Sequence, residues 1–263
     1  MDFFSDYSLY TLFFLAAFAF IAGFLDAIVG GGGLIQLPAL LIQFPQLALP
    51  TLFGTNKIAA LSGTSIAAVQ YAKRIRFNWK VLLSISLFSF LFSFLGARIV
   101  SYLDSEALKP LILIILIAIA IYTFIKKDLG NVATKDLSTT KKMIFGALIG
   151  AVIGFYDGFF GPGTGSFFVL AFVVILGFDF LSASAYAKVV NCITNISALL
   201  VFVSHGNYLL EIAILMAVFN VLGNFLGTKI AFKKGNGFIR IVFLIIVMLM
   251  ILRYSKEVFL DLI

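Results

Sequence analysis

Gly23-Phe-Leu-Asp26-Ala-Ile-Val-Gly30-Gly-Gly-Gly33 and Gly154-Phe-Tyr-Asp157-Gly-Phe-Phe-Gly161-Pro-Gly-Thr-Gly165 are two copies of one phrase, set 131 residues apart. At that offset Gly23, Phe24, Asp26, Gly30 and Gly32 fall on Gly154, Phe155, Asp157, Gly161 and Gly163. Each copy puts an acid inside apolar sequence, four residues ahead of a glycine cluster. Such a cluster cannot continue a stable helix, because glycine costs about 1 kcal/mol and proline about 3 kcal/mol in a helix interior. Two breaks of one design predict a duplicated membrane protein with a site between its halves.

The repeat runs on without a gap. Lys57 falls on Lys188, Phe94-Leu-Gly96 on Phe225-Leu-Gly227, Arg98 on Lys229 and Lys109 on Arg240. Twice the offset nearly exhausts the 263 residues. The chain therefore divides into an N-terminal repeat over 1–125, a polar linker over 126–142 and a C-terminal repeat over 143–263. Each repeat offers five apolar segments: 8–29, 33–45, 52–71, 80–101 and 107–125, then 143–160, 164–178, 184–204, 209–230 and 238–255. Most approach the ~20 residues that cross a bilayer as a helix. The second segment of each repeat is short, as a tilted, broken or re-entrant helix would be.

Composition agrees. Hydrophobic residues make up 62% of the chain and charged residues 12%, where soluble domains have nearer ~45–50% and ~25%; mean hydropathy is +1.13. So much apolar surface needs lipid as its solvent. The fold class expected is an all-α polytopic membrane protein with eight to ten spans. The formal charge of +7 forms no nucleic-acid patch, since the basic residues lie in short connectors between apolar spans. A single cysteine, Cys192, excludes an intrachain disulfide and a multi-cysteine metal site. Asp2 and Asp6 precede the first span without a basic n-region, so no cleaved signal peptide is expected.

Connector charge sets the topology. Lys73, Arg74, Arg76 and Lys80 make one connector basic, whereas its mate around His205, Gly206 and Asn207 has no Lys or Arg. The next connector reverses this, with Arg98, Asp104, Glu106 and Lys109 against Lys229, Lys233, Lys234 and Arg240. Equivalent connectors then face opposite sides, and the linker with Lys126, Lys127, Lys135, Lys141 and Lys142 is cytoplasmic. Five plus five crossings related as an inverted repeat fit best. Four crossings plus a re-entrant segment in each half would instead give parallel repeats.

The candidate site gathers around the breaks. Gly30, Gly31, Gly32 and Gly33, with Gly161, Gly163, Thr164 and Gly165, free backbone that must be covered by protein or line a wet cavity. A helix restarting after each break aims N–H groups and a positive dipole end there, which favours an anion. One such break would read as a tight turn or close helix packing; two equivalent ones favour a substrate site. Lys57 and Lys188 each enter an otherwise uncharged span. Either could snorkel to the interface, but the polar stripes beside them, Asn56, Lys57 and Thr64 against Lys188, Asn191 and Asn195, suit anion ligands. Asp26 and Asp157 are candidates for capping, for pairing with a lysine or for carrying a proton. Ser86, Ser89, Ser93 and Gly96, with their mates Ala217, Asn220, Asn224 and Gly227, look like close helix packing. His205 lies in a loop without visible partners. No Gly-x-Ser-x-Gly elbow, nucleotide motif or metal cluster is visible, so neither enzyme nor cofactor is expected.

The phrase from Gly23 through Gly33-Leu-Ile-Gln-Leu-Pro38, the following Gly54-Thr-Asn-Lys57 and the second phrase from Gly154 to Gly165 together resemble the sulfite exporter TauE/SafE family, and within it the YfcA-like branch. The resemblance covers nearly the whole chain. It implies transport of a small anion such as sulfite or a sulfonate across the bacterial inner membrane. The second phrase departs from the first at Pro162 and Thr164, so the two half-sites need not do the same job. The function expected is an inner-membrane secondary transporter of a small sulfur-containing or organic anion, driven by ion gradients. An anion channel and a non-enzymatic membrane subunit that anchors a partner protein are the alternatives. The expected partners are the anion and the lipid bilayer, with no nucleic acid; self-association as a homo-oligomer stays open.

Overall fold

A computed structural model describes residues 7–103 and 137–234. The fifth apolar segment of each half, 107–125 and 238–255, lies outside the described residues, as does most of the linker.

The described residues form eight helices and no strands. Helix α1 (Leu9–Val29) starts where the Ser8 hydroxyl accepts from the Thr11 N–H, and it stops at Gly30, whose φ of 82° only glycine adopts without strain. After the break, α2 (Gly33–Gln43) runs for 11 residues. Pro50 in the first turn opens α3 (Leu49–Ala72), and the Asn78 carboxamide caps α4 (Trp79–Tyr102). The second half follows the same order. The Ser138 hydroxyl caps α5 (Thr139–Phe159), so this helix begins four residues before the boundary expected from hydropathy, taking Lys141 and Lys142 into its first turns. Gly163, at φ 82°, precedes α6 (Thr164–Val174), again of 11 residues. Asp179 caps α7 (Phe180–Ser204), and α8 (Leu210–Lys234) closes the set.

Five of these, α1, α4, α5, α7 and α8, are long and apolar enough to cross a membrane. Two are too short: α2 and α6, at about 16 Å each, cover roughly half the hydrocarbon thickness. Helix α3 has the length for a crossing, yet it spends it on polar residues, with Thr55, Asn56, Lys57 and Thr64 all buried. The exterior carries Phe13, Leu83, Leu87, Leu91, Leu148, Val152 and Leu200, which suits lipid as the surrounding solvent.

Small residues set the close helix contacts, and these contacts recur 131 residues apart. Gly154 of α5 abuts the Ser89 backbone of α4, and Gly23 of α1 abuts the Asn220 backbone of α8. Gly96 of α4 meets the Phe155 carbonyl, and Gly227 of α8 meets the Phe24 carbonyl. Each half thus lends its first helix to the fourth helix of the other. Contacts advance together along both pairs (Gly150, Gly154 and Gly158 against Ile85, Ser89 and Ser93), so these partners run parallel.

The mates α3 and α7 run antiparallel to each other. Gly54 near the start of α3 touches the Asn207 carbonyl just past α7, while Ser65 meets Cys192 further in. The connector bearing Lys73, Arg74 and Arg76 and its mate at His205–Asn207 therefore sit at opposite ends of the bundle. The basic end gathers several cationic residues: Arg74 lies 4.4 Å over the Phe232 ring, and Lys142 lies 5.4 Å over Phe178. The ring chain Phe77–Tyr186–Phe178 ties those two contacts to one end. At the other end His205 does have partners: its Nδ1 lies 2.8 Å from the Val201 carbonyl, and its ring sits edge-on to Tyr102.

Candidate functional site

Where α1 stops and α6 starts, main chain touches main chain. A Cβ added at Gly30 would lie 2.3 Å from the Gly165 carbonyl carbon, and one added at Gly165 would lie 2.5 Å from Gly30 Cα. The Ser166 N–H donates to the Gly30 carbonyl at 3.1 Å, and its hydroxyl donates to the Val29 carbonyl at 2.9 Å. Gly33 in turn faces Pro162. The two breaks therefore meet, and only residues without side chains permit the approach. The first turns of α2 and α6 lie beside each other there, and their N–H groups are largely taken up by the breaks themselves: Leu34 donates to the Gly31 carbonyl, Ile35 and Gln36 to Gly32, Thr164 to Gly161 and Phe167 to Gly163.

Around this junction the lysines and aspartates pair across the halves. Lys57 Nζ on α3 donates to Asp157 Oδ2 on α5 at 3.0 Å and to Asn195 Oδ1 on α7 at 3.1 Å. Lys188 Nζ on α7 lies 3.2 Å from Asp26 Oδ2 on α1 and also donates to the Asp26 main-chain carbonyl. Thr64 adds a hydrogen bond to Asp26 Oδ2 at 2.9 Å. All four ionised groups are buried. A lone charge in such a place would be prohibitive, and each is held there by its opposite. Of the roles open to the two acids, pairing with a lysine is the one seen in the structure.

The breaks and pairs enclose a cavity of about 30 Å³, room for roughly two water molecules. Its wall includes Gly30, Gly32 and Gly33 from the first break and Gly161, Gly163, Thr164 and Gly165 from the second. Asp26, Asn56, Lys57, Thr64 and Asp157 line it too, with Asn191 and Asn195 of α7. Gly31 and Lys188 are set back from the wall. Cys192, although on the same stripe as Asn191 and Asn195, approaches Ser65 Oγ at 3.7 Å.

Two polar wall residues escaped the sequence reading. Gln36, in the first turn of α2, accepts from Asn220 Nδ2 at 2.7 Å and donates to the Asn56 carbonyl at 3.5 Å. Asn220 also accepts from Asn224 Nδ2 at 2.8 Å. Asn220 looked like a packing residue because its mate is Ser89, which does pack against Gly154. The signal that separates them is polarity: a carboxamide buried in an apolar helix needs partners, whereas a serine can turn to its own backbone. Gln36 was legible as the single polar side chain closely following the glycine run.

A family model described as sulfite exporter TauE/SafE matches residues 15–254. The chain belongs to that family. Its relatives include a probable membrane transporter protein, ORF9, of a Sinorhizobium species, 38% identical over 96% of this chain and 95% of the relative. A probable membrane transporter protein of Haemophilus influenzae is 36% identical over 89% and 91%, and the probable membrane transporter protein YfcA of Escherichia coli K12 is 35% identical over 87% and 82%. No solved structure matches the chain. This TauE/SafE member is thus a multi-pass membrane protein whose relatives carry the name of transporters, in keeping with the resemblance read from the glycine phrases.

Proposed function

We propose that the protein is a bacterial inner-membrane secondary carrier for a small anion, sulfur-containing or organic, driven by ion gradients. The observation that carries this reading is the junction of two broken helices over one buried polar cavity. There the N-terminal turns of α2 and α6 point positive dipole ends and Lys57, paired with Asp157, presents its ammonium, while Asn56, Thr64, Asn191 and Asn195 supply hydrogen bonds. Lys188 would reach an anion only by releasing Asp26. In this reading the anion passes when the halves part around the cavity.

The contacts repeating at 131 residues and the antiparallel run of α3 against α7 support two inverted repeats, 1–125 and 143–263, joined by a cytoplasmic linker. Rocking of one half against the other about the shared site would then open it to each side in turn. The partners in this reading are the anion and the bilayer, without nucleic acid, cofactor or catalysed reaction.

Proteoliposomes carrying the purified chain test it. Radiolabelled sulfite or methanesulfonate should enter with saturable kinetics and show counterflow against internal unlabelled anion. Flux that does not saturate would select a channel. Absence of uptake of every small anion tried, under any gradient, would refute the reading.

A further inference from the structure

Resting on the transport reading above, we propose that the two cross-half ion pairs divide the work. Lys57–Asp157 is the pair an anion opens, Asp157 taking up a proton as the anion takes its place at Lys57. Lys188–Asp26 stays closed and holds the halves together.

The pairs are mates by sequence but differ in surroundings. Lys57 stands on the cavity wall, and both its partners, Asp157 and Asn195, are side chains that can rotate away. Lys188 is set back from the wall, and its second partner is the Asp26 main-chain carbonyl, which also accepts from the Gly30 N–H at 2.7 Å. Withdrawing Lys188 would strip a cation from the last turn of α1 just where that helix breaks.

The space in front of the two lysines differs in the same sense. A methyl group at Gly161 would have as its nearest neighbours the Asp157 carbonyl oxygen at 3.2 Å, Asp157 Oδ1 at 3.4 Å and Lys57 Nζ at 3.5 Å, so main chain of the other half comes no nearer than the ammonium. At the mate position, Gly30, the corresponding room is filled by the main chain of Gly165. Asn56 strengthens the asymmetry. It is 7% exposed, lies on the wall, and its Oδ1 has no hydrogen-bond partner, whereas its mate in the other half is Ala187. The residue before Lys57 is thus a carboxamide on the cavity wall, and the residue before Lys188 is an alanine.

Charge balance then requires the proton. The two pairs together are neutral, so a monoanion admitted to the cavity leaves one negative charge uncompensated in a buried place. The proton comes from the solution to which the cavity is open, forms the Asp157 O–H bond, and leaves with the anion on the far side. Besides tyrosines, the titratable side chains near the cavity's ion pairs are Asp26 on α1, Lys57 on α3, Asp157 on α5 and Lys188 and Cys192 on α7; Lys141 and Lys142 on α5, Lys80 and Arg98 on α4, and Glu211, Lys229, Lys233 and Lys234 on α8 lie towards the helix ends and are not buried, and α2 and α6 contribute none. Asp26 is kept from this role by Lys188, whose Nζ lies 3.2 Å from its Oδ2, and by the Thr64 hydroxyl, which donates to that oxygen.

Proteoliposomes of the full chain decide the matter with methanesulfonate, a monoanion at every working pH, and a trapped pH dye. Wild type should carry one proton inward with each methanesulfonate and accumulate it under an inward proton gradient. Asp157→Asn should lower that accumulation by about tenfold or more while the protein still elutes as a folded species. The Asp26→Asn/Lys188→Gln protein should lose thermal stability, and a melting temperature equal to that of wild type would overturn the structural half of the division. Methanesulfonate entry without proton entry in wild type, or a gradient response that survives in Asp157→Asn, would overturn the division while leaving transport standing. Wild-type vesicles that take up neither sulfite nor methanesulfonate would overturn the transport reading and this division together.

Discussion

Lys57 and Asp157 lie 100 positions apart in the chain and 3.0 Å apart in space, joining the third helix of one half to the first helix of the other. Lys188 and Asp26 repeat the link with the halves exchanged. The consequence is that each half supplies the counter-ion that lets the other bury its lysine. Neither half can keep its charge inside apolar surroundings alone, so the ion pairs couple the stability of the two halves as well as furnishing the site.

Removing one partner of such a pair should therefore cost more than removing both. Lys57→Ala leaves Asp157 buried without a cation, a loss of about 3–5 kcal/mol, and Asp157→Asn in the same protein should return much of it. Thermal unfolding in detergent of the two single variants and the double variant measures the difference. Additive losses would show that the pair is not coupled.

The meeting of Gly30 with Gly165 predicts a sharp contrast between glycines. Gly30→Ala meets two penalties: a φ of 82° that costs an L-residue about 1–2 kcal/mol, and a methyl group 2.3 Å from the Gly165 carbonyl carbon. Gly206→Ala meets only the first, since nothing lies within 4 Å of its Cβ position at φ 69°. Gly30→Ala should abolish uptake and lower the yield of folded protein, while Gly206→Ala should lower the melting temperature by a few degrees and leave uptake intact. Equal effects would mean that the breaks do not need their close approach.

The carboxamide chain from Gln36 through Asn220 to Asn224 should behave as a unit. Gln36→Leu removes the acceptor of Asn220 Nδ2, whose remaining partner is the Ala19 carbonyl at 3.4 Å, and should destabilise by about 1–3 kcal/mol. Adding Asn220→Leu removes the stranded donor and should cost less than the sum of the single changes. A double-mutant cycle on thermal stability reads the coupling directly.

Ser89 predicts the opposite sign. Its hydroxyl is fully buried on α4 against Gly150 and has no hydrogen-bond partner. Ser89→Ala deletes an unsatisfied polar atom and leaves the close backbone contact with Gly154 intact, so it should be neutral or stabilising by up to about 1–3 kcal/mol. A clear fall in melting temperature would show that the hydroxyl has a role in another conformation.

The sequence by itself determined the membrane class, because nothing but lipid solvates this much apolar surface. It also carries repeated phrases at one constant offset, in Lys57 and Lys188, in Asp26 and Asp157 and in the glycine clusters. The helix breaks were legible for a local reason: glycine clusters and Pro162 end helices wherever they fall. The short lengths of α2 and α6 followed from the same breaks. Tertiary structure alone decided which lysine meets which aspartate, since pairings across 100 and 162 residues depend on α1 packing beside α8 and α5 beside α4. It also decided that Asn220 reaches the cavity while its mate Ser89 faces a glycine. Above all, it set Lys57 on the cavity wall and Lys188 behind it. Repeat sequences fix equivalent positions, but the space in front of a side chain is set by its neighbours, and Gly165 fills beside Gly30 what stays open beside Gly161.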